Sequence, residues 1–168
     1  ANPLGYLSNV DEVMEKCEIQ AKVTHNTIEG IISSQAIALM AHCFIHNMID
    51  KEEIPSYLEK ILKASRFDHA FTSQWQGKVG EQGLESAHAA VQTVATSNSL
   101  SEILKKCVEY SGDTDTVATM AVGAASCCKE IKKDLPEGLY WGLENGPYGR
   151  DYLISLDEKL NLLLNNRG

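Results

Sequence analysis

The sequence predicts an all-α protein that forms one helical domain over residues 1–168. Apolar residues recur at the three- and four-residue spacing of helices along most of the chain. Capping residues precede several of these segments, and no segment shows the polar and apolar alternation of a half-buried strand. Hydrophobic residues make up 43% and charged residues 23%, so a chain of 168 residues can bury its own core.

Three helices are predicted before residue 66. Asn9 is the expected N-cap of the first, which should end near Lys22. The second should run from about His25 to Met48, and because it is apolar on most sides we expect it at the centre of the core. Polar residues within its apolar tract favour burial in protein over burial in lipid. The third should run from Ile54 or Pro55 to about Ser65, since proline is common in a first helical turn.

Residues 66–83 break the helical pattern and form a long irregular segment. It combines three aromatic residues with three glycines: Phe67, Phe71, Trp75, Gly77, Gly80 and Gly83. Long loops of this kind often carry function. Two interpretations are open, a segment that covers a cleft and stacks an adenine with Lys78 adding charge, or a structural loop packed by its own aromatic residues.

Four further helices are predicted after this loop: Leu84 to Thr96, Leu100 to Tyr110, Asp113 to about Lys132, and Asp151 to Leu164. Ser99 and Glu102 have the spacing of a capping box at the start of the second of these. A glycine-punctuated stretch from Gly138 to Gly149 leads into the last helix.

The net charge of the chain limits the partners that it can bind, and its cysteines indicate the cellular compartment. Fifteen basic and 23 acidic residues give a formal charge of −8, which disfavours binding to nucleic acid or to an anionic membrane. The five cysteines are odd in number and include no C-x-x-C pair, so we expect reduced thiols rather than a disulfide framework. No signal-peptide pattern opens the sequence, and a cytoplasmic location is expected.

The strongest chemical signal is the segment from Ser111 to Thr116, at the predicted start of a helix. Its carboxylates and hydroxyls are hard oxygen donors that suit Mg²⁺, Ca²⁺ or Mn²⁺ better than zinc. Residues two apart in a helix point about 200° away from each other. Asp113 and Asp115 can therefore share a metal only if Asp113 precedes the helix or lies in a distorted first turn, which Gly112 permits. The alternative is simple capping, because acidic residues at a helix start complement its dipole.

The run Gly112-Asp113-Thr114-Asp115-Thr116-Val117-Ala118 resembles the G-D-T-D-T-[IV]-A signature of the ADP-ribosylglycohydrolase family, which includes the dinitrogenase-reductase-activating glycohydrolases. Other stretches agree in order: Pro3-Leu4-Gly5 is similar to a P-[IL]-G segment, Thr24-His25-Asn26 to a T-H element at a helix start, and Gly77-Lys78-Val79-Gly80-Glu81 to a G-[WY]-V-x-E loop with Lys78 in place of the aromatic. Residues 86–99 resemble the helix before the signature, so the resemblance spans nearly the whole chain.

This resemblance implies a compact orthogonal helical bundle that lacks the family's amino-terminal helices. It also implies metal-assisted hydrolysis of the glycosidic bond between ADP-ribose and an acceptor. The substrate it implies is an ADP-ribosylated protein or a small ADP-ribose compound. In the family, a pair of Mg²⁺ or Mn²⁺ ions is bound by the residues that match Asp113, Asp115 and Thr116. The residues expected to bind substrate are Thr24, His25, Gly77, Val79, Gly80, Gly112 and Thr114.

The sequence departs from the family in one respect. The family's other metal ligands and its candidate catalytic carboxylates lie on G-D-x-x-G and T-D-D-T-like segments, which this sequence does not contain. We therefore expect half of the dinuclear site here, assign no catalytic residue, and expect self-association or pairing with an amino-terminal segment. One alternative is a non-catalytic binding or scaffold module derived from the family. Another is an unrelated helical interaction protein in which Asp113 and Asp115 point apart.

The remaining histidines are weaker candidates. His42 and His46 are four residues apart, a spacing that can place two imidazoles on one metal, but the glutamate of a zinc-protease motif is missing. We expect both to be packed and hydrogen-bonded within the core helix, and the same for His88. For His25, the alternative to substrate contact is a histidine satisfied by a neighbouring backbone group.

Overall fold

The computed structural model describes residues 1–64 and 71–165. Over these residues the protein consists of eight α-helices and two 3-10 helices, with isolated β-bridges but no strand. The predicted all-α fold class is therefore confirmed. The α-helices are α1 Val10–Thr24, α2 Ile28–Ile45, α3 Ile54–Ala64, α4 Gly83–Ala95, α5 Leu100–Tyr110, α6 Thr114–Ala125, α7 Glu137–Trp141 and α8 Arg150–Asn165, and the 3-10 helices are Asn2–Tyr6 and Lys51–Glu53.

The chain forms two compact units, Ala1–Lys133 and Asp134–Gly168. The first contains α1 to α6 and the second contains α7 and α8. The expectation of a single domain over residues 1–168 stays a prediction.

Helix α2 lies at the centre of the first unit, as the sequence predicts. It contacts α1, α3, α4, α6 and the first 3-10 helix, and Ile37, Leu39 and Met40 are almost fully buried. By length and composition alone α2 could cross a membrane, but 67% of it is buried within the protein, as expected of a core helix. It begins after Thr27, whose hydroxyl accepts a hydrogen bond from the Gly30 N–H at 3.1 Å.

Local capping signals determine where two helices begin. Asn9 accepts a hydrogen bond from the Glu12 N–H at 2.8 Å and starts α1, as predicted. Ser99 accepts one from the Glu102 N–H at 3.2 Å and starts α5. The Glu102 carboxylate, however, accepts from the Asn98 N–H at 2.8 Å, one residue earlier than a standard capping box would have it.

The predicted end of α6 near Lys132 is wrong, because the helix ends at Ala125. The Lys133 ammonium donates to the Ala125 carbonyl at 2.6 Å and so satisfies an acceptor at the end of the helix. The backbone of Lys132 pairs instead with residues 98–100, donating to Asn98 and accepting from Leu100 at 2.9 and 3.0 Å. This contact between distant segments competes with helix continuation.

The second unit contains one helix that the sequence analysis missed. Helix α7 is only five residues long and lies within the glycine-punctuated stretch. Arg150, at the start of α8, donates to the Trp141 carbonyl at 3.1 Å, and its guanidinium lies 4.9 Å from the centroid of the Trp141 ring. Helix α8 agrees with the predicted closing helix to within one residue at each end.

Candidate metal and substrate cleft

A cleft of about 660 Å³ lies in the first unit, where the end of α1 meets the starts of α2, α4 and α6. Four of the predicted site residues line it: Thr24, His25, Asp113 and Thr116. The sequence separates these residues by up to 92 positions, so the fold brings together the T-H element and the signature.

Asp113 lies immediately before α6, at the N-cap position, and Thr114 is the first helical residue. Its carboxylate accepts no capping hydrogen bond from the first turn of the helix. The side-chain capping hydrogen bond that the alternative interpretation offers is therefore absent at Asp113, and its oxygens remain available to a ligand. The condition that the sequence analysis set for a shared metal site, that Asp113 should precede the helix, is met.

Asp115 lines a second cleft of about 290 Å³ beside the first. The two clefts share several residues, including Thr116, Ser33 and Met120. The two aspartates therefore line neighbouring clefts that share Thr116. Over residues 1–64 and 71–165, no three histidine, cysteine, aspartate or glutamate side chains are grouped closely enough to hold a metal ion.

The donor chemistry of the larger cleft still fits a divalent cation. Its lining residues include Glu29, Glu81 and Asp113, whose carboxylates are hard oxygen ligands, together with the Thr116 hydroxyl. In the part of the chain that is described, none of these three carboxylates forms an ion pair with a lysine or arginine. These oxygen donors are of the kind that Mg²⁺ or Mn²⁺ prefers, and those on α6 and its N-cap would supply only part of a coordination shell.

Gly112 allows the signature to lie directly against the preceding loop. Its φ is +77°, and a Cβ atom at this position would lie 2.0 Å from the Val79 carbonyl oxygen. Val79 donates its N–H to the Ser111 carbonyl at 3.3 Å and accepts from the Asp113 N–H at 3.2 Å. The Val79 side chain is fully buried, and its backbone hydrogen bonds hold the loop against the signature segment.

Aromatic packing anchors this loop, which supports the second interpretation offered above for the residues that are described. The His88 ring lies edge-on to Phe71 and Trp75, with centroids 5.9 and 5.4 Å apart. His88 Nε2 hydrogen-bonds the Ser73 carbonyl at 2.7 Å, so the prediction that His88 is packed and hydrogen-bonded is confirmed. Trp75 donates from Nε1 to the Gly77 carbonyl at 3.2 Å. Phe67 lies outside the described residues.

Thr24 and His25 form the end of α1 and not the start of a helix. The His25 N–H donates to the Ala21 carbonyl at 2.7 Å and closes the helix. The His25 ring bonds the Thr24 hydroxyl at 2.9 Å, where the alternative interpretation expected a backbone partner. Both side chains are exposed at the cleft, so they are accessible to a substrate.

A sequence model of the ADP-ribosylglycohydrolase family matches residues 1–168, the whole chain. The chain belongs to the ADP-ribosylglycohydrolase family. A comparison with curated protein sequences finds no match. The family is one of glycohydrolases that generally use divalent metals, and the helical fold agrees with it.

Several residues of this ADP-ribosylglycohydrolase domain that the sequence predicts to bind substrate are not found in the lining of the larger cleft. Gly77, Gly80, Gly112 and Thr114 are not among the described residues that line the larger cleft. Gly80 instead donates its N–H to the Glu85 carboxylate at 2.7 Å. Their assignment as substrate-binding residues stays a prediction.

Several polar residues that line the larger cleft were missed by sequence reasoning, and Glu81 and Ser33 are two of them. Glu81 closes the Gly77–Glu81 motif, so its place in that motif was a signal that could have found it. Ser33 is buried on α2 and lies between the two clefts, with its hydroxyl donating to the Glu29 carbonyl at 2.6 Å. No local pattern marks Ser33, because its position depends on how α2 packs against α4 and α6.

His42 and His46 hold the segment that contains Gly5 and Leu7 against the carboxyl end of α2. His42 Nδ1 bonds the Gly5 carbonyl at 3.0 Å, and His46 Nε2 bonds the Leu7 carbonyl at 3.1 Å. Burial lowers the pKa of His42, partly offset by the Gly5 hydrogen bond. The prediction that these histidines are packed and hydrogen-bonded within the core helix is confirmed for His42, which is buried. His46 is hydrogen-bonded but exposed, because it lies at the C-cap, one residue past the end of α2.

Proposed function

We propose that this chain carries one side of a metal-assisted glycosidase site, which hydrolyses the bond between ADP-ribose and an acceptor. The observation that carries the proposal is the position of Asp113, ahead of α6 with its carboxylate unused in capping. It lines a cleft together with Thr116, Thr24 and His25. The membership of the glycohydrolase family supports the reaction class.

In this proposal Asp113, Asp115 and Thr116 hold Mg²⁺ or Mn²⁺. The two carboxylates supply negative charge from neighbouring clefts, and Thr116 lines both clefts. A bound cation would orient the ribose hydroxyls and make a water more nucleophilic near neutral pH. Because one helix start supplies only part of a coordination shell, the remaining ligands would come from other carboxylates of the cleft such as Glu29 and Glu81, from water, from an amino-terminal segment or from a second copy.

The substrate is an ADP-ribosylated protein or a small ADP-ribose compound. Thr24 and His25, exposed at the cleft, would contact it directly. Val79 and Gly112 would act through the backbone by keeping Asp113 in place. We also propose a cytoplasmic location, because buried thiols such as Cys43, whose pKa is raised to about 12 by burial, suit a reducing compartment.

Titration calorimetry with Mn²⁺ and ADP-ribose tests the proposal. We expect each ligand to raise the affinity for the other by the same factor, since coupling between two sites is reciprocal. Asp113→Asn should weaken Mn²⁺ binding at least about tenfold, as expected for loss of a charged ligand. Asp11→Asn, an exposed aspartate on α1, removes the same charge away from the cleft and should leave binding unchanged. Flat titrations of the unmodified chain at millimolar ligand would refute the proposal.

A second candidate is a non-catalytic binding or scaffold module derived from the family. It is favoured by the observation that Asp113 lines the larger cleft and Asp115 lines the smaller one. This candidate predicts ADP-ribose binding that does not depend on Mn²⁺. It also predicts no release of ADP-ribose from an ADP-ribosylated acceptor, which chromatography of the products can measure.

A further inference from the structure

The negative charge of the larger cleft disfavours binding of a nucleotide, which is itself an anion. Its described lining includes three carboxylates, on Glu29, Glu81 and Asp113, but no lysine or arginine. The diphosphate of an ADP-ribosyl group is an anion and is repelled by carboxylates at close range. A bound divalent cation can offset part of that repulsion near Asp113, and a basic side chain at the rim would offset more.

Lys78 is not among the described residues that line the cleft, but its stem lies next to the lining residue Asp113 in the chain's signature segment. Its side chain lies over Gly112, because a Cβ atom at Gly112 would meet Lys78 Cγ at 3.0 Å and Cε at 3.1 Å. The ammonium is one bond beyond Cε and therefore lies beside the residue that precedes Asp113. The backbone of the adjacent Val79 is hydrogen-bonded on both sides to the signature segment, which fixes where the lysine stem begins.

The Lys78 ammonium is also available. In the part of the chain that the structure describes, it forms no ion pair, whereas Lys16, Lys22 and Lys106 each pair with a glutamate. Lys78 is exposed, so the ammonium can reach a ligand without breaking an internal contact. The pattern that this loop resembles has an aromatic residue at this position, so the charge distinguishes this chain from that pattern.

We propose that Lys78 is a specificity-determining residue that binds the diphosphate of the substrate and favours nucleotides over uncharged ribosides. This inference rests on the proposed function, since it assumes that the cleft receives an ADP-ribosyl group. Lysine is suited to the role as a compact charge on a flexible stem, which phosphate recognition commonly uses.

Calorimetry of the full chain with saturating Mn²⁺ tests the inference, with ADP-ribose and adenosine as the two probes. Lys78→Met keeps an unbranched stem over Gly112 but removes the charge. We expect it to weaken ADP-ribose binding about tenfold, as for loss of one charge-assisted hydrogen bond, and to leave adenosine binding unchanged. Lys78→Arg should restore ADP-ribose binding to within about threefold, and the loss should shrink at high salt as charges are screened.

Lys105→Met is the matched control, because it removes one exposed lysine from α5 and makes the same change in net charge. The inference is overturned if Lys78→Met binds ADP-ribose as tightly as the unmodified chain, or if Lys105→Met causes an equal loss. An equal loss for adenosine would also overturn it, since the side chain would then act through the loop and not through the diphosphate. If the unmodified chain binds neither probe, the proposed function fails together with this inference. If the unmodified chain binds ADP-ribose but Lys78→Met does not weaken that binding, only this inference fails.

Discussion

Replacing Gly112 by alanine should destabilise the first unit and displace Asp113. A Cβ atom would lie 2.0 Å from the Val79 carbonyl oxygen, about 1 Å closer than such atoms approach in proteins. The backbone must move, and the two Val79 hydrogen bonds to Ser111 and Asp113 would be lost or weakened. A side chain at positive φ costs about 1–2 kcal/mol, and each lost hydrogen bond costs about 1 kcal/mol. The expected loss in the free energy of unfolding is therefore about 2–4 kcal/mol.

Urea unfolding of the full chain measures this loss, and Gly77→Ala separates its two causes. Gly77 also has a positive φ, of +87°, but a Cβ atom there would meet no other atom within 4 Å. Gly77→Ala should therefore cost only the backbone strain of about 1–2 kcal/mol. The difference between the two variants isolates the collision with Val79. If Gly112→Ala costs no more than Gly77→Ala, our account of how the loop holds the signature is wrong.

Two further predictions concern stability. Burial gives His42 a lower pKa in the folded chain than its ordinary value of 6.5, so the unfolded chain binds protons first and the free energy of unfolding should fall from pH 7 to pH 5. His42→Gln should flatten that fall in urea unfolding at the two pH values, and an unchanged slope would contradict the assignment. Lys133→Ala should cost about 1–2 kcal/mol, because it removes the donor to the Ala125 carbonyl at the end of α6. Lys132→Ala, an exposed neighbour, should stay within about 0.5 kcal/mol, and equal effects in thermal unfolding would argue against this role for Lys133.

Local signals in the sequence were sufficient for the starts of α1 and α5, whereas α2 begins at Ile28, three residues after the predicted start at His25. Asn9 and Ser99 each bond an N–H three residues later, so the information lies within a single turn. The end of α6 could not be read in this way. It depends on Lys133 and on backbone pairing with residues 98–100, which are distant in sequence. Helix α7 is too short for a helical period to be visible.

The candidate site shows the same division. The place of Asp113 before its helix could be anticipated from Gly112 and from the requirement that two aspartates share an ion. The division of the site into two clefts could not, because Asn2 lines the smaller cleft from the opposite end of the chain. Asn2 donates to the Thr119 carbonyl at 3.4 Å, a contact across 117 residues that no local pattern encodes.

The two backbone hydrogen bonds of Val79 also provide a route by which substitutions far from the cleft can affect Asp113. Trp75 donates a hydrogen bond to the Gly77 carbonyl, and two residues later the Val79 carbonyl accepts one from the Asp113 N–H. Trp75 is therefore linked to Asp113 through two hydrogen bonds and the short backbone segment between them. A side chain that touches neither cation nor sugar can thus alter cation affinity by tilting one carboxylate. Loss of metal binding in a Trp75 variant would accordingly reveal mechanical support, and would not identify a ligand.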